Sequence, residues 1–403
     1  MNSLKTSADR SCDVLVAGTG LAGLTAAIAF AQAGFDVVSC GAAERSGRGR
    51  TVAMLDRSVA YLESLGLWPA IRPEAAPLRT LRIVDDTGAL FPPRPLEFHS
   101  AEIGLDAFGW NVENDRMASA LTVVAARTRG VERTSSAVAR YDFSGERALA
   151  RLDDGRLIAC SLVIGADGRD SRARRSAGLP VRSRRYPQSA LTALLTHRLP
   201  HRDASTEFHT RNGPFTLVPL PAKETASHRS SLVWLMSDEE ARRRETLEAP
   251  ALEREIERQA RSMLGAMRLE GPPGLFPMSR QIVPKITSER LALVGDAAHA
   301  FPPIGAQGLN LGLRDVEAIV ACAVEARDEG RDIGGEPALL SYERARRTDI
   351  AARSGFVHGL NQALLMRFAP VDFARGAGLA VLGAVGPLRR FVMREGVAPR
   401  RAG

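Results

Sequence analysis

The sequence predicts an α/β chain: a Rossmann-like domain interleaved with a largely antiparallel β-sheet domain and followed by a helical C-terminal segment. Three observations support this. An apolar strand pattern, Asp13 to Ala17, runs at once into a Gly-rich turn and an apolar helix that ends at Gly34. A second short apolar run, Leu291 to Val294, again leads through glycines into a helical pattern, but only in the last third of the chain. Between them, Ala190 to His197, Thr206 to Thr210, Phe215 to Leu220 and Ser231 to Met236 read as strands separated by Pro, Gly and Asn turns.

The first element, strand then Gly18-Thr19-Gly20-Leu21-Ala22-Gly23 then helix, is a dinucleotide-binding fingerprint. Gly18 makes the turn, Gly20 clears space for a pyrophosphate, and Gly23 lets the helix pack closely. Asp13, the glycines and the lack of a small-residue cleavage pattern argue against an export signal. The next strand, Phe35 to Cys40, should be followed by an acid for the adenosine ribose, but Gly41 stands there; Glu44 reaches the ribose only if the loop folds back. Val163-Ile164-Gly165-Ala166-Asp167-Gly168 is a third strand ending in an Asp-Gly turn, with Ser171 and Arg174 beyond it.

The late element reads Gly295-Asp296-Ala297-Ala298-His299, then Phe301-Pro302-Pro303 and Gly305-Ala306-Gln307-Gly308-Leu309-Asn310. Asp296 sits at a strand end, where its carboxylate can accept hydrogen bonds from a polyol. Gly305 and Gly308 admit a ligand close to the backbone, and the helix through Leu309, Leu313, Val316, Ile319 and Val320 turns its positive end toward it. His299 reads as a structural, hydrogen-bonded histidine with no partner evident in the sequence.

With 403 residues and 45% hydrophobic content, the chain has enough apolar material for two domains. Cys12, Cys40, Cys160 and Cys322 are far apart, which fits a reducing cytoplasm and excludes a metal knuckle or a redox Cys pair. The net charge of +8 admits nucleic acid or an anionic membrane as partner. Much of that excess is interleaved with acids: Asp238 with Arg242, Glu239 with Arg243, Glu240 with Arg244 and Glu257 with Arg261 stand four apart, as on a solvated helix. Without aromatic-basic sheet motifs or zinc-finger spacing, no nucleic acid is expected. From Arg353 to Arg394, apolar residues alternate with Arg367, Arg375, Arg389, Arg390 and Arg394, and acids are nearly absent. That pattern fits a membrane-surface helix pair or core-packing helices. Gly376 to Leu388 is too short and too broken for a spanning helix.

Taken in order, the three fingerprints resemble those of the FAD-dependent aromatic hydroxylases, the single-component flavoprotein monooxygenases. Gly213-Pro214-Phe215-Thr216-Leu217-Val218-Pro219-Leu220 and Tyr186 to Leu191 resemble the ubiquinone-biosynthesis branch, as does the spacing of Asn361, Arg367, Pro370, Arg375 and Pro387. The resemblance implies that Gly18, Gly20, Leu21, Ala22 and Gly23 hold the FAD pyrophosphate, Asp296 the ribityl chain, and Gly308, Leu309 and Asn310 the ring. Arg50 matches an arginine near the flavin, Arg116 lies next to the place of a basic FAD contact occupied here by Asp115, and Asp167 serves FAD and nicotinamide nucleotide. The sheet covers the flavin, with Phe215, Leu217 and Pro303 lining the substrate pocket. Residues 1–80, 105–185 and 280–335 then form the FAD domain, 81–104 and 186–279 the substrate domain, and 336–403 the C-terminal helical segment.

The activity so implied is hydroxylation of a lipophilic phenol, a polyprenylphenol intermediate of ubiquinone biosynthesis, by FAD, NAD(P)H and O2 through a flavin C4a-hydroperoxide. It belongs in the cytoplasm, peripheral to the inner face of the cell membrane, beside other quinone-biosynthesis proteins. Hydroxylation of a soluble phenol and a non-catalytic flavin-binding scaffold are the alternatives. No metal and no second nucleotide domain is expected, since Gly376-x-Gly378 lacks a preceding strand. The residues name no catalytic base.

Overall fold

The computed structural model describes residues 8–42, 49–87, 94–302, 307–365, 389–390 and 393, the side chains of 307 and 351–365 excepted. Its first sheet is centred on β1 (Arg10–Ala17), which pairs in parallel with β2 (Val37–Cys40) and β11 (Leu157–Gly165). Parallel pairing continues outward to β8 (Val131–Thr134) and β19 (Leu291–Leu293). β9 (Val138–Asp142), β10 (Ala148–Leu152) and β18 (Thr287–Ser288) add antiparallel edges. Parallel strands are covered on both faces, so their sequences are apolar throughout rather than alternating. Val14, Leu15 and Val16 are accordingly all fully buried. α1 (Leu21–Gln32) is small and apolar because it is packed among this sheet, α4 (Asn114–Arg127) and α8 (Gln307–Asp328).

The second sheet runs β20 (His299–Ala300), β17 (Gly274–Ile282), β12 (Arg182–His197), β15 (Arg229–Ser237), β14 (Gly213–Leu220), β13 (Ala204–Thr210), β5 (Thr80–Asp86), β6 (Leu96–His99), with β16 (Met267–Leu269) beside β12. Every pairing is antiparallel except β13 with β5. Only Val294 separates Gly295 from β19, and β20 begins four residues after it, so the Gly295–Asp296 turn lies where the chain crosses from the first sheet to the second. A small antiparallel sheet of β3 (Thr51–Leu55), β7 (Gly109–Glu113) and β4 (Ala75–Pro77) fills the seam between them. α2 (Asp56–Ser64), α3 (Trp68–Ile71), α5 (Arg172–Ser176) and the long α9 (Glu336–Leu365) complete the layer around the first sheet.

Two expectations need correction. The charged stretch Asp238–Arg261 is not one helix but α6 (Asp238–Glu245) and α7 (Ala249–Gln259), broken where Pro250 begins the second. Glu240 and Arg244 do pair, at 2.5 Å, but Arg243 pairs with Glu255 across the break and Arg261 with Asp86. The second correction concerns the pocket. Phe215 and Leu217 point away from the first sheet, into the core that α6 and α7 cover, where Phe215 packs edge-on against Phe208 and Trp234. Strand side chains alternate, so the opposite face of β14 presents Thr216 and Val218. That inner face meets the small sheet: Thr51 Oγ1 lies 2.9 Å from Ser231 Oγ, and Asn111 Nδ2 donates to the Pro219 carbonyl at 2.9 Å.

Candidate functional site: a dinucleotide cleft at the sheet junction

The ends of β1, β11 and β19 meet at one edge of the first sheet, and each delivers one fingerprint there. Gly18 has φ +111°, and a Cβ on it would meet the Ala166 carbonyl oxygen at 2.3 Å; a Cβ on Gly23 would strike the Gly18 carbonyl at 2.1 Å. The turn therefore nests against the Asp167 turn, and its backbone N–H groups head α1, whose positive end suits a pyrophosphate. Buried Arg174 donates to the carbonyls of Ala297 and Arg169, both at 2.9 Å, and so joins the Asp-Gly turn to the Asp296 turn. Burial pushes that guanidinium's pKa down.

Asp296 is exposed while Val294, Gly295, Ala297 and Ala298 around it are buried, and its carboxylate has no partner among the described residues. A lone carboxylate held outward on a buried turn is what a polyol-binding acid needs. Asp167 differs: Oδ2 accepts the N–H groups of Arg172 (2.7 Å) and Ala173 (3.0 Å) at the start of α5, leaving the buried Oδ1 without a partner among the described residues. Half of this side chain is thus structural.

The start of α8 also divides. A Cβ on Gly308 would meet open space, consistent with room for a ligand. Leu309 instead packs against the apolar cluster that holds Leu24, Ile28 and Met54, and the Asn310 amide bridges β3, accepting from Leu55 N–H at 2.9 Å and donating to the Ala53 carbonyl at 2.8 Å. These two can offer a ring only their backbone. Arg50 is exposed, its guanidinium 5.5 Å from the Phe276 ring of β17, which places it across the seam on the inner face. Arg116 is exposed as well and lies 3.8 Å from Glu74. Pro303, Gly305 and Glu44 lie outside the described residues.

Gly41 follows β2 with φ +140°, and a Cβ there would come within 3.6 Å of Gly18 Cα and Thr19. The missing ribose acid is therefore built into the backbone: this position takes a conformation that L residues rarely adopt.

Sequence reasoning missed the partner of His299. Its Nε2 lies 2.7 Å from Asp315 Oδ2, both side chains wholly buried, and Asp315 also accepts from Arg346 Nε at 2.8 Å. Arg346 and Arg314 share Asp349. A signal was present: Asp315 stands four residues before Ile319, on the face of α8 that its apolar spacing assigns to the core. Also unforeseen was Arg229, fully buried in the seam and bonded to Glu270 at 2.6 and 2.7 Å and to Glu113 at 2.8 Å.

A family model described as "FAD binding domain" matches residues 11–353. A ubiquinone hydroxylase of Rhodospirillum rubrum is 33% identical across 98% of this chain and 92% of its own length. The 3-demethoxyubiquinol 3-hydroxylase of Escherichia coli is 30% identical across 95% of this chain and 97% of its own. Among solved structures, p-nitrophenol 4-monooxygenase from Pseudomonas putida superposes with a TM-score of 0.78 over 98% of this chain and all of its own, at 18% identity, a likeness of fold.

Proposed function

The chain belongs to the FAD binding domain family, and from that membership we propose that the ring it hydroxylates is a polyprenylated phenol on the way to ubiquinone. It is an FAD-dependent oxidoreductase, a monooxygenase, so a scaffold without turnover is not retained. The observation that supports the substrate class is near-full-length likeness to two hydroxylases named for ubiquinone and its precursor. In balance, NAD(P)H gives two electrons, one atom of O2 replaces a ring hydrogen as hydroxyl, and the other leaves as water.

The steric nest at Gly18, and Asp296 with no partner among the described residues, support a fit to FAD. We infer that the Gly18–Gly23 turn holds the pyrophosphate, Asp296 the ribityl hydroxyls, and the backbone of Gly308 to Asn310 the ring. Bound there, FAD supplies electron transfer from NAD(P)H and activation of O2. The chain's own part is positioning and the exclusion of water. Arg50 against Phe276 closes one side of the seam, and the half-buried Leu194, Thr216, Val218 and Val233 give the inner face of the second sheet an apolar floor for a ring.

No described helix is long and apolar enough to cross a membrane. A prenylated substrate nevertheless resides in one, and the C-terminal segment after residue 353 is the proposed contact with an anionic inner face. Arg389 is excluded from that role. It pairs with Glu102 at 2.6 Å and stacks on Phe98, while Met393 is buried beside Phe98 and Phe108. Most of the segment, 366–388, lies outside the described residues.

The test is direct: purified protein with FAD, NAD(P)H and a short-chain prenylphenol should yield a product heavier by one oxygen atom, whose label follows 18O2. Turnover of unprenylated phenols only would replace the lipophilic substrate by a soluble one. Asp296→Ala should bind FAD at least tenfold more weakly, a loss of about 1.5–3 kcal/mol, as a lost charged hydrogen-bond acceptor implies.

A further inference from the structure

Hydroxylating a phenol is easier once its O–H proton is gone, because the phenolate pushes electron density to the ring carbon that takes the oxygen. No group described so far serves that proton. On the inner face of the second sheet, Glu207 of β13 is the cross-strand partner of Thr216, and Thr216 is the partner of Val233, which pairs with Thr192. The four lie in one register line on the face that meets the small flavin-side sheet. With strands about 4.8 Å apart, Glu207 stands roughly 10 Å from Val233, so a ring over Thr216 is within reach of the carboxylate.

Glu207 Oε1 accepts from His209 Nε2–H at 2.7 Å, and its Oε2 lies 3.4 Å from Thr216 Oγ1. The carboxylate is 36% exposed and His209 only 13%, so Glu207 faces the open side and the imidazole backs it. His209 Nδ1 is buried without a hydrogen-bond partner among the described residues. Unlike Arg229, the pair does not bridge the seam, and among the described residues its bonds reach no element beyond Thr216 of β14. The charged neighbour on β5 is Asp85, cross-strand from His209, whose Oδ1 is taken up by Thr87. β14 presents Pro214 and Thr216 there, neither of them titratable.

We propose that the Glu207–His209 pair accepts the proton of the substrate's phenolic hydroxyl. The proposal rests on the reading of the substrate as a phenol. The phenol O–H bond breaks, its proton passes to the Glu207 carboxylate, and the electron pair left on oxygen activates the ring. When the hydroxylated ring loses its hydrogen to water as a proton and becomes aromatic again, its carbonyl oxygen becomes a phenolate, and the pair returns its proton to that oxygen. His209 is the positioning residue: its Nε2–H holds the carboxylate by one oxygen and leaves the other turned toward Thr216 to take the proton.

The experiment uses full-length, FAD-loaded Glu207→Gln, Glu207→Asp and His209→Asn proteins with two phenols: a prenylphenol neutral at assay pH, and a fluorinated analogue already ionised there. With the neutral phenol, Glu207→Gln should lose about 10²–10⁴-fold in hydroxylation rate with KM little changed, and release peroxide instead. Glu207→Asp should recover part of the rate, and His209→Asn should shift the acid limb of the pH–rate profile. The ionised phenol should react alike with wild type and variants. Equal loss on both phenols would mark the pair as structural, and an unchanged rate with the neutral phenol would remove it from the reaction; either result overturns the proposal. If the wild-type protein hydroxylates no phenol at all, the substrate reading fails with it, which the wild-type lane alone reveals.

Discussion

The carboxylate of Asp315, wholly buried in α8, accepts the backbone N–H of Gly295 at 2.9 Å and thereby fixes the turn that presents Asp296. The same oxygen takes His299, and the other takes Arg346. One side chain thus ties α8 and α9 to the point where the two sheets meet.

Asp315→Asn should destabilise the protein by up to about 3–5 kcal/mol, since it leaves the buried Arg346 only Asp349, an acid it already shares with Arg314, and equilibrium urea unfolding measures this. Burial raises the Asp315 carboxyl's pKa, but His299 and Arg346 lower it further, and the result lies below the ordinary value. A depressed folded-state value contributes stability above the unfolded-state pKa of about 3.9, and that contribution disappears as pH falls through the folded value. Wild-type stability should therefore fall below about pH 4, where the variant's curve should be flatter.

Arg229 spans the seam between the second sheet and Glu113 of β7. Its guanidinium is held by Glu270 and Glu113 and has no access to water. Arg229→Ala should cost up to about 3–5 kcal/mol, since it leaves Glu113 and Glu270 only the half-buried Lys223 as counter-charge. Glu113→Gln, which weakens the bonds to Arg229 and Lys223 and leaves Glu270 in place, should cost about 1.5–3 kcal/mol and raise KM for the phenol while leaving FAD affinity near wild type. Equal loss of FAD in Glu113→Gln would show that the bond shapes the cofactor cleft instead.

At Gly41 the sequence invites a repair, supplying the absent acid as Gly41→Glu to tighten FAD. The φ of +140° reverses that expectation. The substitution should lower the midpoint of thermal unfolding by a few degrees, equivalent to about 1–3 kcal/mol of backbone strain, and should not improve FAD affinity by fluorescence titration.

The cysteines should differ sharply in reactivity. Burial pushes the thiols of Cys12 and Cys40 up to about 12 and that of Cys160 well above its usual range, and all three side chains are buried. Cys322 is only partly covered. Native protein at pH 8 should therefore take up one equivalent of a thiol reagent, at Cys322, and the other three should react only on unfolding.

What the sequence determined by itself was local or periodic. A strand buried on both faces is written as an unbroken apolar run, and a turn that touches its neighbour's carbonyl at Gly18 tolerates only glycine, so the fold and the three fingerprints were legible from single stretches. The strands β12 to β15 were legible for the same reason, although β12 begins at Arg182, before its apolar part. What only the tertiary structure decided was direction and partnership. Alternation shows that Phe215 and Thr216 face opposite ways but not which way the flavin lies; the helices α6 and α7, packed on the Phe215 side, settled it. His299 and Asp315, Arg229 and Glu113, and Glu207 beside Thr216 acquire meaning only when chain segments far apart or on neighbouring strands are brought together. A buried charge is stable only beside its counter-charge, and which charge that is depends on packing, not on spacing along the chain.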